Sequence, residues 1–367
     1  MILDKGGRLA NRPYKGTSMS NMPSLRSPRL LLSLVILLVA ASAYRLWPRH
    51  PEHAQTEIQG PTMGTTYTVK AVHAEGAIST AQLRETCEKI LAMIDTSMST
   101  YRDDSELMRF NAMKADQSFA ASVPLFAVLD ASEKISQRTD GYFDVTVGPL
   151  VNAWGFGRNK GEARPTAESI ALLLQNTGYQ KIKLDPVQRT VSKTSDQVVI
   201  DLSAIAPGYA ADLILDAVLA LGATGVMVDV GGEFRVTGNR ADGKPWTLGI
   251  EQPDAEGRVV AKVITVHNKA LATSGDYRNF RTDAEGRIAH GIDPHTGSPS
   301  DNHVASVTVI ADTAMEADAL ATAFMVAPLE KSWAWAVDQH IAVLLMLRKS
   351  DGTFEVKISP AFQKCLL

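Results

Sequence analysis

From Ile58 onward, short β-rich runs and helix-period runs succeed one another without regular alternation, and no linker interrupts them. Thr65-Thr-Tyr-Thr-Val69, within residues 58–72, is a strand signal. Leu83, Cys87, Ile90, Leu91 and Ile94 recur at helical spacing, and Leu125, Val128, Leu129 and Ile135 repeat the pattern. A third, short helix over residues 167–175 opens at a capping Thr166. Helices are further expected over 209–220, 316–325 and 329–337. Strands are expected over 181–184, 198–200, 225–230, 246–251, 259–266, 304–310 and 341–347. Such an irregular mixture predicts an α+β fold of mixed sheets and helices rather than a doubly wound sheet. With no dividing linker, residues 58–367 read as one large domain.

The remaining chain is of a different kind. Leu30 to Ala43 is an uncharged, mostly apolar run preceded by Lys5, Arg8, Arg12, Lys15, Arg26 and Arg29. A basic stretch over residues 1–29, an apolar segment over 30–47 and the small-residue string Ala41-Ser-Ala43 form the layout of an export signal. A start at Met22 gives this segment ordinary signal-peptide length. The alternative is an uncleaved anchor extended to the interface by Tyr44 and Trp47. No Cys follows the run to carry a lipid. Residues 48–57 read as a linker. The basic residues ahead of the run place the rest of the chain outside the cytoplasm. A net charge of −3 gives no nucleic-acid surface. Cys87 and Cys365 lie in no paired or zinc-like setting.

Chemistry-bearing residues gather in a few strings. Asp318 and Thr322 are one helical turn apart, a carboxylate and a hydroxyl on one face suited to a hard cation such as Mg²⁺. A back-bonded Thr beside a solvated Asp is the plain alternative. Asp201-Leu-Ser-Ala-Ile-Ala-Pro-Gly-Tyr runs from a strand end into a helix N-terminus, a setting that favours phosphate. Asp229-Val-Gly-Gly-Glu233 brings backbone close to a ligand or makes a β-bulge. Thr273-Ser-Gly-Asp-Tyr-Arg278, with His290 and Asp293, offers a base, a carboxylate partner and a phosphate-neutralising guanidinium. Ser274 lacks the surroundings of a hydrolase nucleophile. Met63, Tyr101 and Trp154 would form an apolar wall for a flat ring, or simply core.

Together, TMGTTY, MSTYRDDSE, FDVTVGPLVNAWGFG, DLSAIAPGYAAD, DVGGE, DGKPW, LATSGDYRN, HGIDPHTG and ASVTVIADTAMEADALAT resemble the ApbE family, the FAD:protein FMN transferases. The strings run in family order across residues 58 to 325, and each is weak alone. The resemblance implies an enzyme, exported to the periplasmic side of the bacterial inner membrane, that moves the FMN half of FAD onto a Ser or Thr hydroxyl and releases AMP. Acceptors would be electron-transport subunits of the Rnf or Nqr type or another exported flavoprotein. Asp318, Thr322 and the backbone carbonyl of Ala204 would hold Mg²⁺, and His290 would be the base. Asp293, Asp276 and Arg278 would support the site. Met63, Tyr101, Asp144, Glu233 and Ser274 would lie along the FAD pocket. Pro207 stands where relatives often carry Lys or Glu. Ala289 replaces a common Ser before the His. Two other functions stay open: a Mg²⁺-dependent FAD pyrophosphatase yielding FMN and AMP, and a non-catalytic FAD-binding assembly protein.

Overall fold

The computed structural model describes residues 32, 33, 35–39, 53–158, 164–253, 259–276, 280–283, 286–300 and 302–366. The chain divides into two units, Met1–Pro51 and Glu52–Leu367. In the first, residues 32, 33 and 35–39 are helical and exposed. Among the described residues, no helix is long and apolar enough to cross a membrane.

The second unit is built on strands β1 (His53–Thr62), β2 (Thr65–Ala74), β3 (Phe119–Ala120), β4 (Ile182–Asp185), β5 (Thr190–Lys193), β6 (Gly225–Val230) and β7 (Glu233–Thr237). They are followed by β8 (Trp246–Glu251), β9 (Val260–Val266), β10 (Ala270–Gly275), β11 (Phe280–Asp283), β12 (Gly286–Ala289), β13 (Val304–Ala311), β14 (Ala342–Arg348) and β15 (Phe354–Ile358). Eight make one sheet in the order β1-β2-β6-β7-β10-β13-β14-β15, and the rest form small sheets β3-β5-β4, β8-β9 and β11-β12. Every neighbouring pair in the large sheet is antiparallel. The helices are α1 (Thr80–Met98), α2 (Glu106–Asn111), α3 (Val123–Arg138), α4 (Gly148–Ala153), α5 (Ala167–Leu174), α6 (Ala206–Ala220), α7 (Ala314–Val326), α8 (Leu329–Asp338) and α9 (Pro360–Lys364). This is the mixed α+β domain expected.

Strand periodicity sorts the sheet's two faces. Ala270, Ala272, Val307, Val309, Val343 and Leu345 join the main core, under α6 and α7. Leu271, Ile310, Leu344 and Met346 face the other way, into a second core with Trp246, Leu248 and Ile250 of β8 and Phe362 of α9. Buried on both faces, β13 reads as a nearly continuous apolar run. Buried Cys87 belongs to the main core, and burial pushes its thiol up to about 12, so it is a packing residue.

Three local expectations change. Residues 53–57, read as linker, form the first half of β1; the polar string looks like a loop until β2 supplies its partner. Residues 198–200 are not a strand. The side chain of Asn111 pairs that backbone instead, donating to the Ile200 carbonyl at 2.9 Å and accepting its N–H at 2.8 Å. Gly231 and Gly232 are not a bulge; they are the two-residue loop of the β6–β7 hairpin, with φ of 72° and 113°.

Candidate active site

The site is a cavity of about 590 Å³ to which eight segments of the domain contribute. One side of it is α7, through Asp318, Thr322, Met325 and Val326, and α7 is held in place by its contact with α6. Gly208 presses so closely on α7 that a Cβ there would lie 2.3 Å from the Ala314 carbonyl oxygen. That closeness lets the Gly208 N–H donate to Asp318 Oδ2 at 3.2 Å. One turn further along α6, Asp212 accepts the Ala314 and Met315 N–H groups at 2.8 and 2.9 Å, capping α7 from its neighbour. Arg235 holds Asp212 from β7, Nε to Oδ1 at 3.2 Å. The tether fixes where Asp318 and Thr322 enter the cavity.

The walls come from hairpins and loops. Asp229 Oδ1 accepts the Gly232 N–H at 2.9 Å, shaping the β6–β7 turn that presents Glu233. Asp201 takes both the N–H and hydroxyl of Ser203, at 2.8 and 2.6 Å, so the chain folds back before α6 and exposes Ala204. Asp144 also lines the cavity, its carboxylate bound by Thr146 through N–H (2.8 Å) and hydroxyl (2.6 Å) and by the Tyr179 N–H (2.7 Å). Thr273, Ser274 and Gly275 enter from the end of β10, and Gly249 and Glu251 from β8. His290 stands at the start of the loop after β12, with Phe156 edge-on at 6.3 Å between centroids.

Acidic groups dominate, and burial governs them. Asp318 is buried, and desolvation pushes its carboxyl up to about 7, opposed by the Gly208 N–H and reinforced by Asp212. Glu233 is raised well above the usual carboxylate range, by burial first and then by the charges of Asp318 and Asp229. Asp144 and Asp212 are also raised, chiefly by burial. Carboxylates crowded in this way attract a cation. Among the described residues no three His, Cys, Asp or Glu side chains are grouped to hold a metal by themselves. A hard cation here would draw on one carboxylate together with hydroxyl, carbonyl, water and substrate oxygens, the pattern Mg²⁺ prefers.

Ala204, Asp318, Thr322, Asp144, Glu233, Ser274 and His290 all line the cavity. Five other expected residues do not, of which Trp154 is core, buried with Leu150, Ile288 and Ile292. Met63 sits at the tip of the β1–β2 hairpin with φ of 44°, packed partly on the core. Tyr101 is 67% exposed on the loop after α1. Asp276 is bound by Arg348 Nη2 at 3.2 Å, one residue beyond the cavity-lining end of β10. Asp293 Oδ1 accepts the His295 backbone N–H at 2.9 Å and lies 3.1 Å from the His295 Nδ1. Arg278 lies outside the described residues. Conversely, Asp201, Asp229, Thr65, Thr66 and Glu251 line the cavity without having been assigned to it. Asp229 had a signal in its glycine pair; Glu251 had none, because only the placement of β8 brings it in.

This combination defines a protein class. The ApbE family model matches residues 63–345, and the chain belongs to the ApbE family. It is 39% identical over 313 residues to the FAD:protein FMN transferase of Vibrio cholerae (serotype O1, strain O395), covering 85% of this chain and 93% of that protein. It is 40% identical to that of Haemophilus influenzae, covering 89% and 96%. Among solved structures it superposes on the flavin transferase ApbE from Vibrio cholerae with a TM-score of 0.78 and 38% identity, covering 86% of this chain and all (100%) of that one. For the apo flavinyl transferase ApbE of Pseudomonas stutzeri the TM-score is 0.79, with 36% identity, 86% of this chain and 97% of that one.

Proposed function

We propose that this chain is a Mg²⁺-dependent FAD:protein FMN transferase that places FMN on a Ser or Thr hydroxyl of an acceptor protein and releases AMP. The observation that carries the reading is that one cavity gathers the buried Asp318, the Thr322 hydroxyl, the Ala204 segment and His290. Asp318, Thr322 and the Ala204 carbonyl would hold the metal. When bound, Mg²⁺ supplies charge neutralisation for the pyrophosphate, in keeping with a reaction class that depends mainly on positioning and electrostatics.

The chain's own residues then do four things. His290 takes the proton of the acceptor hydroxyl, whose oxygen bonds the FMN phosphorus as the bond to the AMP phosphate breaks. The loop from Asp201 to Ala204, at the start of α6, offers backbone groups toward the phosphates. Gly231 and Gly232 keep the β6–β7 turn narrow enough for close approach. Phe156 packs beside the His290 ring and limits its rotation. The acceptor would be an exported flavoprotein subunit of the Rnf or Nqr type. The basic, apolar N-terminal layout supports a location on the periplasmic side of the inner membrane, by cleaved signal or anchor.

The test is incubation of the purified protein with FAD, Mg²⁺ and an acceptor bearing an exposed Ser or Thr, read by intact mass. An FMN-sized gain on the acceptor that EDTA prevents is the expected result. Free FMN and AMP without that gain would make the protein a pyrophosphatase, and unchanged FAD would make it a binding protein. His290→Ala is expected to slow transfer by about 10²–10⁴-fold while FAD affinity changes little. Loss of FAD binding in that variant would assign His290 to binding instead.

A further inference from the structure

We propose that His295 is a positioning residue for the transfer reaction, clasping the loop that carries His290 to the Asp140–Gly141 turn, which leads into the cavity-lining residues from Tyr142 to Val145. The inference rests on the transferase reading above. His295 does not line the cavity, but its loop does, through His290, Ile292 and Pro294.

The clasp follows from an unusual helix end. After α3, Asp140 and Gly141 both take left-handed backbone angles, with φ of 47° and 79°. The Gly141 N–H returns to the Ser136 carbonyl at 2.8 Å, and the Asp140 carbonyl is left pointing away from the helix. His295 Nε2 lies 3.0 Å from that oxygen. A carbonyl only accepts, so Nε2 carries the proton. On the other side of the ring, Nδ1 lies 3.1 Å from Asp293 Oδ1, which also accepts the His295 backbone N–H.

The ring also stacks on Tyr142, at 4.3 Å between centroids and a 42° tilt. Tyr142 lines the cavity and leads directly into Phe143 and Asp144. Asp293 therefore serves His295, and through it the placement of the His290 loop against the Tyr142–Asp144 segment. The loop is held further along as well. Trp154 donates to the Gly297 carbonyl at 2.8 Å, and Asn302 to the Met325 carbonyl at 2.9 Å. Those contacts lie C-terminal to His295, and the Ser300 N–H to the Gly291 carbonyl (2.9 Å) and the Asp293 N–H to the Ser298 carbonyl (2.8 Å) tie the His290 side of the loop to them; His295 adds the tie to the Asp140 turn.

The test compares His295→Ala, His295→Gln and His295→Arg in the full chain. The first removes both side-chain bonds, the second keeps one donor and the third retains several. Hydrogen exchange on the ligand-free protein is expected to quicken for the amides of Asp293, Gly297 and Ser300 in His295→Ala, with β13 and α7 unchanged. With FAD, Mg²⁺ and acceptor, kcat is expected to fall about ten- to a hundredfold, the scale of a small misplacement, while KM for FAD stays within about twofold. His295→Arg is expected to recover most of the loss and His295→Gln part of it. Unchanged exchange in His295→Ala would overturn the clasp, whatever the activity. Faster exchange with wild-type kcat would overturn its link to the reaction. Absence of FMN transfer in the wild type would instead overturn the transferase reading, leaving the exchange result to decide the clasp.

Discussion

Asp318 shows how one residue's burial sets its chemistry. Its carboxyl rises to about 7, driven by desolvation and the nearby Asp212 charge against the single Gly208 N–H. A carboxyl whose folded pKa stands above its unfolded value contributes stability below the unfolded value and loses it as pH rises through the folded one. Asp318→Asn should therefore gain stability relative to wild type as pH rises from about 4 through 7, by at most a few kcal/mol, when no divalent cation is present. The same change should lower Mg²⁺-dependent transfer at least about a hundredfold. Thermal denaturation on both sides of that window, with EDTA, checks the first expectation, and initial rates check the second. An Asn variant that grew less stable than wild type with rising pH would show that Asp318 is ionised and well satisfied in the fold. Lys193 makes the contrast. Its ammonium is buried too, yet it donates to the Asn111, Asp196 and Val198 carbonyls at 2.7, 3.2 and 3.0 Å, and it belongs to the frame rather than the site.

At the scale of elements, the α6–α7 contact and the last helix carry the sharpest consequences. Gly208 has no room for a methyl group against the Ala314 carbonyl. Gly208→Ala should cost about 1–3 kcal/mol, measured by denaturant unfolding, and should also depress activity because the Asp318 contact moves with it. A variant with wild-type stability and rate would mean that the two helices separate freely. Ser359 joins α9 to β14. Its Oγ accepts the Phe362 and Val343 N–H groups at 3.2 and 3.0 Å and donates to the Ile341 carbonyl at 2.8 Å, all in the interior. Ser359→Ala should cost about 2 kcal/mol with little effect on catalysis, a split that unfolding and rate measurements together reveal. The helices were legible for a simple reason. Apolar spacing in α1 and α3 follows the helical period, and Ser79, Ser122 and Thr166 each cap with a side-chain oxygen. The strand at 198–200 was misread because Asn111, far away in sequence, imitates a neighbouring strand.

For the whole domain, ligand and stability are linked. A folded cavity that binds FAD and Mg²⁺ together is stabilised by about 2.7 kcal/mol at roughly a hundredfold excess over Kd. Addition of both should raise Tm, and EDTA should return part of that gain; no shift with FAD and Mg²⁺ would contradict the proposed occupancy. By itself the sequence determined the α+β class, the main helices, the carboxylate–hydroxyl pair Asp318 and Thr322, and the membership that its ordered strings suggested. These are local or ordered properties, readable because periodicity, caps and short motifs act over a few residues. Only the tertiary structure decided which candidates meet. It turned Asp293 toward His295, left Tyr101 in solvent, and brought Asp201, Asp229 and Glu251 to the cavity from three separate elements. Strand order and helix docking bring residues far apart in sequence together, and neither is written in the spacing of neighbouring side chains.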